Sequence, residues 1–150
     1  MNPLPPDDQP HVVRVGPVTV PIIDDDDPRF EDERRAWSSA RSRAAAMHTA
    51  DELLAGVEDD DWRVRDEAIP RLAARARDDE RTPQALIRLL EADPTWEVRG
   101  SAAMTLSSFE SPRVTKALLA AENDPHPDVR WSVQFALCQF GLRPRPDPID

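Results

Sequence analysis

Residues 59–73, DDDWRVRDEAIPRLA, are echoed twice further along the chain: DPTWEVRGSAAMTL at 93–106 and DPHPDVRWSVQFAL at 124–137. Aligned on Val64, Val98 and Val129, the copies share more than one column. An aspartate stands five residues before each valine (Asp59, Asp93, Asp124) and an arginine one residue after (Arg65, Arg99, Arg130). Four residues on come Ala68, Ala102 and Val133; eight on come Leu72, Leu106 and Leu137; eleven before come Leu53, Ile87 and Leu118. Offsets 0, +4, +8 and +11 fall on one face of an α-helix, and Phe109 and Phe140 continue that face. Recurrence at one period, here 34 and then 31 residues, is the signature of stacked structural repeats.

Each copy reads as the second helix (B) of a pair. Asp61, Thr95 and His126 occupy its N-cap column, followed by Trp62, Trp96 and Pro127. The first helix (A) of each pair has its own start signal. Thr49-Ala50-Asp51-Glu52 has the capping-box pattern, and Thr82-Pro83 and Ser111-Pro112 each offer an N-cap followed by proline. Pro70, inside the first B helix, predicts a kink.

Around the repeats the composition changes. Residues 1–27 form a Pro- and Asp-rich arm, in which Val13, Val15, Val18, Val20 and Ile22 alternate around Gly16-Pro17 as a short strand or hairpin would. Pro17 and Pro21 restrict it to an edge strand or an extended segment. The run Asp24 to Asp27 before Pro28 makes Asp27 an N-cap, and 28–47 reads as a helix with an apolar stripe at Phe30, Trp37, Ala44 and Met47. So narrow a stripe needs a surface, and the open end of the repeats supplies one. Residues 142–150, LRPRPDPID, alternate proline with charge and predict a solvated polyproline-II tail.

Over 49–141 the Asp-x4-Val-Arg columns and the Ala/Leu positions resemble the HEAT-repeat family, in the short form also found in phycobilin-lyase-type repeats. The resemblance implies an all-α fold: an α-solenoid of three HEAT-like helix pairs at 28–141, including an N-terminal capping helix at 28–47 and preceded by the extended arm. It also implies a ladder in which Asp59, Asp93 and Asp124 pair with Arg65, Arg99 and Arg130 between neighbouring units. That makes these six residues structural rather than catalytic.

Composition narrows the function. The chain has 150 residues and a formal net charge of −10, so its surface repels phosphate backbones and anionic membranes, and a basic protein is the better electrostatic match. Lys116 is the only lysine. Cys138, the single cysteine, permits no intrachain disulfide and reads as a buried thiol in a reducing compartment. With no apolar stretch long enough to span a bilayer and no secretory signal pattern, the chain reads as cytoplasmic.

Catalysis needs convergent polar groups, and the sequence offers few. His11, His48 and His126 lie in an arm, a junction and a turn, and Asp124-Pro125-His126-Pro127-Asp128 suits a capped turn better than a metal clip. No phosphate-cradling loop is present in a chain with only four glycines. We therefore expect no enzyme, cofactor or metal. The glycosylase-type and bilin-lyase-type enzymes built on such repeats share only the generic columns with this chain.

A solenoid binds through equivalent positions on successive repeats. The B-helix offsets turned from the core bring together Asp66, Glu67, Gly100, Met104, Trp131 and Phe135. In HEAT-type solenoids this side is concave, and Trp62 and Trp96 add a second aromatic ridge. The expectation is a binding module, of the kind an immunity protein exemplifies, that engages a basic partner through this row. One alternative is an assembly factor or regulatory subunit that adds the 12–23 strand to its partner; the other is a HEAT-like enzyme of the nucleic-acid glycosylase or bilin-lyase type.

Overall fold

The computed structural model describes residues 12–15, 18–21 and 28–148. By its internal contacts the chain divides into two compact units, residues 1–37 and 38–150, and the division falls inside a helix.

In the first unit, β1 (Val12–Val15) pairs antiparallel with β2 (Val18–Pro21), Val12 opposite Pro21 and Val15 opposite Val18. The Gly16-Pro17 turn and the Asp27 cap lie outside the described residues. Helix α1 runs Pro28–Ala45 and continues into the second unit. It stops short of the 28–47 expected, because Met47 leaves the helix and its thioether lies where a side chain on Gly56 would stand.

The second unit is a stack of helix pairs: α2 (Ala50–Gly56) with α3 (Trp62–Arg75), α4 (Arg81–Ala92) with α5 (Trp96–Leu106), and α6 (Pro112–Ala120) with α7 (Pro127–Gln139). The A helices α2, α4 and α6 touch in sequence, as do the B helices α3, α5 and α7. This is the expected α-solenoid. The aligned columns are its core: Val64, Ala68, Leu72, Val98, Ala102, Leu106, Val129, Val133 and Leu137 are fully buried, as are Leu53 and Leu118. Each fully buried Val or Leu stabilises the stack by about 1.5–3 kcal/mol.

Local chemistry sets most helix starts where the sequence places them. Thr49 Oγ1 accepts from Glu52 N at 3.2 Å while Glu52 Oε2 accepts from Thr49 N at 3.0 Å, closing the capping box of α2. Ser111 Oγ caps α6 through Val114 N. Asp61 caps α3 through Arg63 N, and His126 Nδ1 caps α7 through Asp128 N. α4 departs from the pattern. It begins at Arg81, ahead of the Thr82-Pro83 signal, since Asp79 Oδ1 takes Arg81 N at 3.0 Å and starts the turn earlier. Thr82 is buried instead, its hydroxyl donating to Ala76 O at 2.7 Å. α3 is one continuous element through Pro70.

At the far end Gly141, at φ 72°, follows the C-cap of α7. Gly141 N donates to Cys138 O and Leu142 N to Leu137 O, both at 2.9 Å, which is the Schellman closure that favours glycine. The chain is thereby turned back. The described part of 142–150 is exposed except at Pro146, yet it is held to the fold: Trp131 Nε1 donates to Asp147 O at 2.7 Å, and Arg143 bridges Glu122.

Gly100 sits in the middle of α5, where glycine costs about 0.5–1 kcal/mol relative to alanine. A Cβ there would meet only Ser132 Oγ, at an ordinary 3.6 Å. Gly100→Ala should therefore stabilise the fold by about 0.5–1 kcal/mol, read as a rise in the urea midpoint; a lower midpoint would mean that the α5–α7 approach is tighter than this spacing implies.

Candidate functional site

The repeated aspartates and arginines come together between neighbouring pairs. Arg65 Nε and Nη2 donate to the two carboxylate oxygens of Asp93 at 2.7 and 2.9 Å. Arg99 does the same to Asp124 at 2.8 and 3.0 Å. The first aspartate, Asp59, bonds Arg43 on α1, and the last arginine, Arg130, bonds the backbone carbonyls of Asp124 and Pro125. In the rung to Asp124, burial works against the charged carboxyl, but the bonds from Arg99 and from His126 N outweigh it. They hold the carboxyl below its usual range.

The B-helix offsets +2 and +3 turn out to form a seam between neighbouring B helices. Ser101 Oγ donates to Asp66, and Gly100 is buried facing Ser132. Gly100 is thus buried beside the next B helix and not part of an exposed row. Beside this seam α3, α5 and the start of α7 enclose a groove of about 490 Å³. Of the residues singled out from the sequence, Asp66, Glu67, Trp96, Gly100 and Met104 line it.

The groove is acidic, with Glu97 and Asp128 also in its walls. Glu67 is ion-paired with Arg41 and Arg71, whereas among the described residues no arginine pairs with Asp66, Glu97 or Asp128. Burial raises the Asp66 carboxyl above its ordinary range; the Ser101 bond opposes the rise, and Glu67 and Glu97 add to it. Trp96 stays exposed at the rim, stacked on the His126 ring with centroids 4.0 Å apart. A carboxylate-lined cavity with a partly exposed indole at its rim suits a cation. Glu97 and Asp128 occupy the −1 column, one turn before Ser101 and Ser132, so four-residue helical spacing was the signal that could have added them.

The other sequence candidates lie elsewhere. Trp131 stacks on Phe135 at 5.5 Å between centroids, and its indole N–H is taken by the C-terminal segment. Trp62 is half-buried against the core, with the Arg63 guanidinium 5.0 Å from its ring. Cys138 is a free, half-buried thiol. Among the described residues no group of three or more His, Cys, Asp or Glu side chains is placed to hold a metal, and no helix is long and apolar enough to cross a membrane.

Neither the curated proteins nor the solved structures contain a match to the chain. A family model described as HEAT repeats matches residues 50–138, which spans all three helix pairs and every rung between them. Repeats of this kind generally mediate contacts between proteins and are typically scaffolds without catalysis. With the columns, the stacked pairs and the family match in agreement, the chain belongs to the HEAT-repeat family.

Proposed function

We propose that this is a non-catalytic binding module whose α3–α5 groove receives a basic segment of a partner protein, in the manner of an inhibitor or immunity protein acting in the cytoplasm. The carrying observation is the set of carboxylates without arginine partners, Asp66, Glu97 and Asp128, placed around one cavity with Trp96 at its rim. Met104 gives that wall an apolar surface for the methylene stem of an arginine or lysine. The net charge of −10 would steer such a partner toward the chain. We read the second half of α1 as the cap of the array: Ala40 and Ala44 are buried there, and Arg43 supplies the rung for Asp59.

Titration with an arginine-rich peptide, followed by Trp fluorescence, tests the reading. Asp66→Asn with Glu97→Gln should weaken binding at least tenfold, since each charged hydrogen bond lost is worth about 1.5–3 kcal/mol. Unchanged affinity would sink the groove as the site. The pH dependence has a definite sign. Asp66 is raised above its ordinary value, and a bound cation favours its ionised form. Affinity should therefore climb as pH rises through the Asp66 transition and fall below it, and the Asp66→Asn variant should lose that slope.

A further inference from the structure

The ladder is unfinished at its last rung. Arg65 and Arg99 each use their guanidinium in two parts. Nη1 donates back to the carbonyls of its own turn, Arg65 to Asp59 O at 2.8 Å and Arg99 to Asp93 O at 3.0 Å. The Nε–Nη2 edge then grips the aspartate of the next pair with two parallel bonds. Arg130 reproduces the first part, its Nη1 donating to Asp124 O at 2.8 Å and Pro125 O at 3.1 Å. Its Nε–Nη2 edge has no acceptor among the described residues, and the side chain is exposed.

We propose that Arg130 is an open binding site for an aspartate of a partner protein, in the position that the next repeat's aspartate would take. The two filled rungs define what fits. Each gripped aspartate also accepts the backbone N–H two residues on, Thr95 N to Asp93 at 2.9 Å and His126 N to Asp124 at 2.8 Å. The complementary group is therefore an aspartate in a tight turn ahead of a helix, presented with both oxygens toward the fork.

The surroundings agree with a carboxylate ligand. Arg130 lines a cleft of about 550 Å³ with Trp131, Gln134 and, from the returning C-terminal segment, Arg145 and Asp147. Arg145 has no ion-pair partner among the described residues. Two guanidiniums with no ion pair among the described residues thus share one cleft with a single carboxylate, Asp147, in a chain whose net charge is −10. The segment does not fill the site: its bonds to α7 run through Trp131 and Gln134, which leaves the Arg130 fork clear. A second copy is a poor occupant, because Asp59 is already bonded to Arg43, Asp93 and Asp124 are gripped by Arg65 and Arg99, and two such acidic chains repel. This site is separate from the acidic groove, and its success or failure leaves that reading untouched.

The probe is a synthetic peptide of residues 93–106, which carries the Asp93 turn, added to the full chain labelled with ¹⁵N-arginine. The Arg130 Nε–H resonance should shift on binding, and the Asp93→Asn form of the peptide should bind at least tenfold more weakly. Arg130→Ala should abolish binding. Arg130→Lys keeps a cation for the turn carbonyls but cannot bridge two carboxylate oxygens, so it should fold and still bind at least tenfold more weakly. Equal binding of the two peptides, retained affinity in either Arg130 variant, or no Arg130 shift at millimolar peptide would each overturn the proposal. So would sodium acetate shifting Arg130 as strongly as the peptide at equal concentration, or sedimentation showing self-association that Arg130→Ala removes.

Discussion

Asp93→Ala should destabilise the protein by about 3–5 kcal/mol, measured as a fall in the urea unfolding free energy. The side chains of the pair are only 3% exposed for Asp93 and 11% for Arg65, so water cannot replace the lost partner. Three things disappear together: both fork bonds from Arg65 and the bond from Thr95 N that shapes the turn before α5. The larger part of the cost is a buried guanidinium left without its carboxylate. The control follows from that cause. Changing both partners, Arg65→Met with Asp93→Leu, removes the stranded charge along with the pair and should recover much of the loss. A double variant as unstable as Asp93→Ala would mean that the lost turn geometry, and not the stranded charge, causes most of the damage.

Leu106→Ala is the second large effect, with an expected loss of about 2–5 kcal/mol by the same measurement. Leu106 is fully buried on α5, and α5 touches α3, α4 and α7. In a stack of repeats each unit is stabilised by its neighbours, so a hole in the middle pair weakens two interfaces where a hole at an end weakens one. The urea transition should also broaden, because α2–α3 and α6–α7 would lose the unit that couples them. A loss below about 1 kcal/mol would show that the core closes around the missing side chain.

The sequence carried the repeats because their constraint is periodic. Val64, Val98 and Val129 are buried for one reason applied three times, and the cap columns at Asp61, Thr95 and His126 follow from the same register. Features that depend on one local competition were less legible. Asp79 and Thr82 are both able to start α4, and the sequence does not say that Asp79 takes Arg81 N first. The site was half legible. Offsets from the core valines found Asp66, Glu67 and Met104, but they treated +2 and +3 as an open face. Those positions instead meet the next B helix, as Asp66 does Ser101 and Gly100 does Ser132. The return of 142–148 over α7 was hidden because proline-rich composition describes the free chain, while Trp131 and Gln134 offer donors that hold it.

That return bears on how such an array lengthens by gene duplication. At the seam position where α5 has Gly100 and admits α7, α7 has Trp131, a side chain already bonded to the chain's own backbone. A copy appended after Gly141 would have to displace the returning segment and settle against an indole. A copy inserted between Leu106 and Ser111 would meet Arg99 on one side and Asp124 on the other, both able to complete a rung with it. A unit inserted there would keep both rungs, whereas one placed after Gly141 would first have to free the face of α7.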